Sequence, residues 1–472
     1  MIKPDLQFAQ FKRVLDYYSA DPSFRKKMHE DAVHTLSELG FDSLDANDCL
    51  KGIEAFLRGR GFSAWGNPYL DRYIEWEKEV LESTERNFGT DRFRNPEISR
   101  YLTVSMNRCR TESMLLRMHS NARLFPIAIE LGVGCRCRCP FCAFEAGEWK
   151  ENFEYTPENA ALWREILRVL LRDLGPVAKE GTAYFATEPF DNPDYEKFLS
   201  DYEEIFGGIP QTTTALADRN PERTRRFIEW VGKERLMSEE RIRFSVRTMN
   251  QFNRIISEFS PEELEFIELI ANNPESVNMY SDSGRAAKKP EERPALNSEQ
   301  GSGIKTTCDD GNDTKMRKVT AKYSVCCISG LLVNMVNKTM MFIEPELPCE
   351  EFPKGYRILE ERAFSDADDF SVNMNELYAK YAIASLPKDD PVCINRYVRV
   401  RFTDHFVELT GPGAGYRIKR NVYTEEGIRM FEKGAGFREI VRKTGLPDEW
   451  EQAFYESMNE LYFRGFIRIM YP

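Results

Sequence analysis

The sequence predicts an α/β protein with a helical region before its core and a small strand-and-helix module after it. Apolar residues recur at helical spacing in residues 1–120, which predicts helices there. Strand patterns alternate with helix patterns between residues 125 and 249. This alternation predicts parallel βα units, arranged as a barrel or as an open doubly wound sheet. The pattern changes again in residues 393–472, to short alternating strands followed by helices.

The helical region begins with an amphipathic helix, and a second helix follows it with clear start and stop signals. Asp21 is the predicted N-cap of the second helix, Pro22 its first residue and Gly40 its end. Two further helices are predicted over residues 69–86 and 98–118. The apolar face of the first helix is formed by Phe8, Phe11, Val14, Leu15 and Tyr18.

The predicted core covers residues 121–350 and contains a capped helix over residues 156–174. Its strands are predicted at 125–134, 181–189, 211–217, 241–249 and 328–343. Residues 272–322 are rich in Lys, Glu, Pro, Ser and Gly, and this composition predicts a mobile insert. A bridging segment, residues 351–392, follows the core.

The module at residues 393–472 is predicted to have three strands and then three helices, as in a winged helix. A Gly-Pro-Gly turn at residues 411–413 separates the second strand from the third. The strands are predicted at 396–404, 405–411 and 415–421, and the helices at 424–433, 436–444 and 448–464.

Composition excludes several classes of protein. The formal net charge of −12 argues against a nucleic-acid binder, which needs basic residues to neutralise phosphates. The apolar stretch at residues 328–343 is too short and too polar to span a membrane. The first residues show no signal-peptide pattern. The number of cysteines is eleven, which is odd and argues against a scaffold of disulfide bonds. We therefore expect a cytoplasmic protein with reduced thiols, some of which bind metal.

Four cysteines lie within the stretch GCRCRCPFCAF, at residues 134–144. A structural zinc site would need a second pair of ligands nearby, but the next cysteine is Cys308 and no histidine precedes it after Cys142. The alternative is the C-x3-C-x2-C set formed by Cys135, Cys139 and Cys142. Three thiolates can hold three irons of a [4Fe–4S] cluster and leave the fourth iron open to a small-molecule chelate.

This spacing, with Phe141 before its third cysteine and after the first strand of a βα core, resembles the radical S-adenosylmethionine (SAM) superfamily. The resemblance implies a partial (βα)6 barrel with a [4Fe–4S] cluster on Cys135, Cys139 and Cys142. It also implies SAM as a second cofactor. Cys137 would then be a spare residue that points away from the cluster.

Two further stretches resemble the SAM-binding segments of that superfamily. Ala186, Thr187 and Glu188 stand where the family has a Gly-Gly-Glu-Pro-like stretch that receives the methionine amino group, although both glycines are replaced. Ser245 and Arg247 are two residues apart on a strand and share a face. They resemble the family residues that contact the ribose and carboxylate of SAM.

Residues 393–472 resemble the small peptide chaperone of pyrroloquinoline quinone biosynthesis, a fold known as a RiPP recognition element. The stretches that carry this resemblance are VELTGPGAG (407–415), FREIV (437–441) and LYFRGFI (461–467). It implies binding of a leader peptide along an exposed strand edge. A DNA-binding winged helix and a dimerisation module are the alternatives.

Together these features resemble radical SAM epimerases that mature ribosomally made peptides, the proteusin type especially. Residues 21–41 also resemble leader segments of such peptides. The resemblance implies removal of a Cα hydrogen from an L-residue and return of a hydrogen atom from a thiol, which leaves a D-residue. The implied partners are a precursor peptide with its leader and a reductant of the flavodoxin or ferredoxin type.

Cys393 is the predicted thiol donor, because family members are thought to use a cysteine late in the chain. A second cluster on Cys308, Cys326, Cys327 or Cys349 stays open as a hypothesis. Two alternative functions also stay open: a radical SAM maturase that forms a thioether or carbon–carbon crosslink, and a non-catalytic iron–sulfur adaptor for leader peptides.

Overall fold

The computed structural model describes residues 6–57, 66–75, 95–113, 123–232, 242–278, 280–288 and 324–471. The amino-terminal region is helical, as predicted. Its helices are α1 (Leu6–Ala20), α2 (Pro22–Glu30), α3 (Ala32–Glu38) and α4 (Ala46–Leu57), followed by helical residues 68–75 and by α5 (Pro96–Glu112).

The prediction of one continuous helix after Asp21 is wrong, because the structure has two helices that are separated at Asp31. Asp21 is the N-cap, as predicted, and its carboxylate accepts a hydrogen bond from the Ser23 amide. Asp31 ends α2 and is itself the N-cap of α3, accepting from the His34 amide. Aspartate at a cap satisfies amides that the helix leaves unpaired, so this residue favours a break over continuation.

In the described residues, the core contains two larger sheets and a two-stranded pair. The strands are β1 (Phe125–Glu130), β2 (Gly132–Val133), β3 (Glu151–Asn152), β4 (Thr213–Thr214), β5 (Ile242–Val246), β6 (Ile267–Ala271), β7 (Ile328–Asn334), β8 (Thr339–Pro345) and β9 (Tyr356–Ala363). One sheet has the order β1-β7-β8-β9, with β7 parallel to β1 and the other pairs antiparallel. The other sheet, β4-β5-β6, is parallel.

A single bridge extends β1 towards the second sheet. Ala128 and Thr182 pair in parallel, and the Ile129 amide donates to the Thr182 carbonyl at 2.8 Å. The strand predicted at 181–189 is reduced to this bridge, and the strand predicted at 211–217 to the two residues of β4. The late strand predicted at 328–343 is a hairpin of two strands. The mixed α/β class is confirmed, whereas the six-unit barrel stays a prediction.

Strand β1 is buried on both sides, which explains its unbroken apolar sequence. Ile127 and Ile129 pack into the main hydrophobic cluster with the helices. Ala128 faces the opposite way, into a smaller cluster with Phe185 and Cys326. The core helices are α6 (Pro157–Asp173), α7 (Tyr195–Phe206), α8 (Pro221–Val231), α9 (Met249–Glu258), α10 (Gly284–Ala287) and α11 (Ala367–Tyr381).

Two predicted connecting segments contain ordered structure. Residues 351–392 include β9 and α11, and α11 belongs to the main hydrophobic cluster of the core. The predicted mobile insert begins with the described residues 272–278 and 280–288, which include α10. Residues 289–322 of that insert lie outside the described part of the chain.

The carboxyl-terminal module has the predicted three strands and three helices, although the winged-helix assignment stays a prediction. Its elements are β10 (Val392–Ile394), β11 (Arg399–Phe402), β12 (Phe406–Thr410), β13 (Gly415–Lys419), α12 (Val422–Phe431), α13 (Phe437–Thr444), α14 (Asp448–Phe463) and β14 (Ile467–Ile469). The antiparallel pair β10–β14 was not predicted. The module packs on α5, where the Gly413 amide donates to the Thr111 carbonyl at 3.0 Å.

Candidate active site

All four cysteines of the GCRCRCPFCAF stretch lie on one loop, which starts just after the carboxyl end of β1. Strands β2 and β3 pair and close this loop at its base, and we call residues 134–150 the cysteine loop. Gly134 takes a left-handed conformation (φ +77°), and a Cβ there would lie 2.0 Å from the Glu148 carbonyl oxygen. Only glycine fits such a position without displacing the backbone. The Cys135 amide donates across the loop to the Gly147 carbonyl at 3.0 Å.

The Cys137 thiol hydrogen-bonds to the thiols of Cys135 and Cys139, and all three cysteines are half-buried. The hydrogen bond with Cys137, followed by burial, raises the pKa of the Cys135 thiol. The Cys142 amide donates to the Cys139 carbonyl at 3.2 Å, and the Cys142 sulfur accepts from the Ala146 amide at 3.5 Å. Cys137 therefore lies near two of the other thiols, and its orientation relative to a bound cluster stays a prediction.

Helix α10, which is distant in sequence, donates hydrogen bonds to backbone carbonyl groups of the cysteine loop. Arg285, in α10, donates from Nε to the Cys139 carbonyl at 3.0 Å and from Nη1 to the Ala146 carbonyl at 2.8 Å. Its backbone amide donates to the Cys142 carbonyl at 2.9 Å. Gly284 makes this approach possible, because a Cβ there would lie 2.3 Å from the Ala143 carbonyl oxygen. We call this set of contacts the Arg285 clasp.

Glu188 is buried beside the cysteine loop and receives hydrogen bonds on both carboxylate oxygens. Its donors are the Phe190 amide at 3.1 Å, the Thr214 hydroxyl at 2.5 Å and the Ala215 amide at 2.8 Å. The Cys137 sulfur lies 3.7 Å from Oε2. Burial raises the pKa of the Glu188 carboxyl to about 7, although the hydrogen bonds act in the opposite direction.

The two other residues predicted in the Glu188 segment lie half-buried beside it. The Ala186 amide donates to Oε1 of Glu130 at 2.8 Å, so it is fixed to the end of β1. No described hydrogen bond fixes the Thr187 side chain.

Arg247, the residue that follows β5, reaches the cysteine loop. This side chain donates to the Cys137 carbonyl at 3.4 Å and to Oε1 of Gln251 at 3.3 Å. Ser245 lies on β5 itself and accepts from Asn272 Nδ2 at 3.0 Å. Phe141, on the loop, stacks on Tyr280 with ring centroids 5.7 Å apart.

The described contacts bring Glu188 and Arg247 to the cysteine loop, which itself carries Cys135, Cys139, Cys142 and Phe141. Ala186 and Thr187 adjoin Glu188 in the chain and Ser245 lies two residues before Arg247, whereas Cys393 lies elsewhere. Sequence reasoning missed Arg285, Tyr280 and Gln251. Arg285 is more than a hundred residues from the loop in sequence, and no local pattern marks it.

Cys393 lies on β10, opposite Arg468 of β14. Arg468 binds Glu346, which follows β8 at the amino end of β1, whereas the cysteine loop follows its carboxyl end. The described contacts therefore do not bring Cys393 to the loop. Cys326 and Cys327 instead belong to the small cluster that contains Phe144 of the loop. Cys308 lies outside the described residues.

The thiols of Cys135, Cys139 and Cys142 fit an iron–sulfur cluster by the chemistry of the donors, because thiolates on one short loop are what such clusters bind. Within the described ranges, no three His, Cys, Asp or Glu side chains are arranged so as to hold a metal ion. The thiol–thiol hydrogen bonds are contacts of protonated groups, which ligation would replace. No helix in the described part of the chain is long and apolar enough to cross a bilayer.

Comparisons with known proteins complete this description. No protein-family model matches the chain. A protein of Sinorhizobium fredii named "Uncharacterized protein y4wI" is 29% identical over 468 residues, which cover 97% of this chain and 87% of that protein. The crystal structure of BtrN in complex with AdoMet and 2-DOIA matches at 18% identity and a TM-score of 0.25. That match covers 31% of this chain and 57% of the BtrN chain.

Proposed function

We propose that this protein is a radical SAM enzyme that converts L-residues into D-residues in a ribosomally made precursor peptide. One observation supports the radical SAM class most directly. The C-x3-C-x2-C loop follows the carboxyl end of β1, and Glu188 and Arg247 from two later segments contact it at Cys137. In parallel α/β folds, ligands bind at the carboxyl ends of the strands.

Cys135, Cys139 and Cys142 would hold a [4Fe–4S] cluster, with SAM as the chelate on the open iron. When bound, the cluster and SAM supply a 5′-deoxyadenosyl radical that can remove a hydrogen atom from carbon. Glu188 and the Ala186–Thr187 backbone would receive the amino group of SAM. Ser245 of β5 and Arg247, which follows that strand, would contact its ribose and carboxylate. The Arg285 clasp holds the loop carbonyls in place.

Epimerisation needs a hydrogen donor across the peptide from the site of abstraction, and a thiol has a suitably weak bond to hydrogen. Cys393 is the donor proposed from sequence. Cys326 and Cys327 compete with it, because they pack in the same cluster as Phe144. Cys393→Ala and Cys327→Ala variants compared side by side would identify the donor, because only loss of the true donor leaves SAM cleavage intact and stops formation of D-residues.

The radical SAM proposal is tested with anaerobically reconstituted protein, SAM and dithionite. We expect an iron–sulfur signal and 5′-deoxyadenosine from the wild type and from Cys137→Ala, the matched control. We expect neither from Cys135→Ala, Cys139→Ala or Cys142→Ala. Absence of 5′-deoxyadenosine from the wild type would favour the iron–sulfur adaptor instead.

The reaction type is tested with the precursor peptide in deuterated water. An epimerase places one deuterium on each inverted Cα, because a thiol hydrogen exchanges with solvent. A crosslinking maturase removes two hydrogens per crosslink and incorporates no deuterium at Cα. Chiral amino-acid analysis of the hydrolysed peptide separates the two outcomes.

A further inference from the structure

The three-stranded sheet β11-β12-β13 has two chemically different faces. Val407 and Leu409 point inwards and are fully buried in the core of the module. The opposite side faces solvent, and we call it the basic face. Its residues are Arg399 and Arg401 of β11, Phe406, Glu408 and Thr410 of β12, and Arg417 and Lys419 of β13.

The charge of the basic face opposes that of the chain. Four basic side chains stand against one carboxylate, a net charge of +3, whereas the whole chain carries −12. Glu408 lies in the middle, with Arg417 at 3.0 Å and Arg401 at 3.9 Å. Among the described residues, Arg399 and Lys419 form no ion pair. Exposed cations clustered on one sheet face are electrostatically complementary to an acidic partner, even though the protein as a whole is acidic.

The spacing of the cations suits an extended peptide. Arg399 and Arg401 alternate along β11, as Arg417 and Lys419 do along β13, so each pair is separated by about 7 Å. Acidic side chains on one side of an extended peptide have the same separation. Phe406 is 42% exposed beside Lys419 and offers an apolar contact at the end of the face.

We propose that the basic face docks an acidic segment of a peptide in extended form, through Arg399, Arg401, Arg417 and Lys419, with Phe406 as an apolar contact. The inference deepens the proposed function and rests on it, because it names the chemistry of the precursor-peptide segment that the carboxyl-terminal module binds. It differs from pairing along a strand edge, since side chains of the face make the contacts.

A peptide fits the basic face better than a nucleic acid does. Glu408 lies between Arg401 and Arg417 and would repel a phosphate backbone laid across the sheet. A nucleic acid would also meet the acidic surface of the rest of the chain, because its charge is continuous. A short peptide with a few carboxylates can place its charges on the cations alone.

The test is fluorescence anisotropy with the full-length protein and no SAM or reductant. The probe is a fluorescein-labelled dodecapeptide of alternating Glu and Leu; a Lys–Leu peptide and single-stranded DNA and RNA of equal length are comparison probes. The wild type should bind the Glu–Leu peptide at least tenfold more tightly than the others, and binding should weaken as salt is raised.

Two variants locate the binding surface. Arg399→Gln combined with Lys419→Gln should weaken binding of the Glu–Leu peptide at least tenfold, and Phe406→Ser should weaken it severalfold. Arg438→Gln combined with Lys443→Gln is the matched control, because these exposed cations lie on α13 of the same module. Circular dichroism checks that every variant is folded.

Unchanged affinity in the Arg399/Lys419 variant, or equal loss in the α13 control, would overturn the proposal. Tighter binding of DNA or RNA than of the Glu–Leu peptide would overturn it in favour of a nucleic-acid surface. Because no chemistry is measured, a protein that binds the peptide but forms no 5′-deoxyadenosine would refute the proposed enzyme and leave the docking surface standing.

Discussion

Gly134 is the residue on which closure of the cysteine loop depends most. Gly134→Ala should destabilise the β2–β3 pairing by about 1–2 kcal/mol, because alanine is strained in the left-handed conformation of this position. The steric overlap of the new Cβ with the Glu148 carbonyl would add to this cost. Hydrogen exchange of the Cys135 and Lys150 amides should speed up severalfold or more. Gly147→Ala is the control, since a Cβ there has no atom within 4 Å. Equal exchange in both variants would contradict this role.

Glu188 should make stability depend on pH. Its pKa is raised by burial to about 7 from an ordinary value of 4.5, so the folded protein holds this proton more tightly than the unfolded chain. Its contribution is fully present below pH 4.5 and is lost as pH rises towards 7. Glu188→Gln removes this dependence, so the urea midpoint of the wild type should fall relative to that of the variant from pH 5 to pH 8. A constant difference would show that the pKa is not raised.

At the scale of elements, the cysteine loop is positioned by α10 as well as by its own strands. Arg285→Gln should remove the two side-chain hydrogen bonds of the Arg285 clasp, each worth about 1.5–3 kcal/mol for a charged donor. In the metal-free protein, iodoacetamide should then alkylate Cys139 and Cys142 at least tenfold faster.

Lys288→Gln is the control for the clasp, because it removes only the ion pair with Glu145 at the loop surface. Exposed ion pairs contribute about 0–1 kcal/mol, so alkylation should change little. If Arg285→Gln left alkylation as slow as in the wild type, the loop would be held by β2 and β3 alone.

At the scale of the whole molecule, buried ion pairs join the carboxyl-terminal module to the core. Arg468 of β14 binds Glu346 at 2.6 Å, and Arg108 of α5 lies 3.6 Å from the same carboxylate. Burial alone would raise the pKa of Glu346, but Arg468 and its neighbours hold it well below the usual value of 4.5. This contribution to stability is present above pH 4.5 and is lost as pH falls through the lowered pKa.

Breaking this network should loosen the module. Glu346→Gln removes the nearer of two carboxylates that pair with the buried Arg468, and the other, Glu112, lies at 3.6 Å. Losing one partner of a buried ion pair costs up to about 3–5 kcal/mol. Limited proteolysis near residues 383–391 should become faster. Glu351→Gln is the matched control, because Glu351 pairs with Arg396 of the same network but is 69% exposed. Equal cleavage rates in the two variants would show that packing, and not charge, holds the module.

The sequence by itself determined features that depend on few neighbouring residues. The caps at Asp21 and Thr156 were predictable because a side chain bonds an amide two or three residues away. The cysteine spacing and the helices of the module were predictable for the same reason. Strands were predicted less well: of residues 181–189, only Thr182 forms a bridge. A strand forms only when a neighbouring strand pairs with it, and the local sequence does not specify which strand that is.

Only the tertiary structure decided which distant segments meet. Nothing near the cysteine loop indicates that Arg285 will bind its carbonyls, or that β7 will lie beside β1. Cys393 was predicted at the active site from its place late in the chain, yet its contacts lie with Arg468. Contacts between residues a hundred or more positions apart depend on the packing of the whole chain. Closing such long loops costs conformational entropy, and only the complete core offsets that cost.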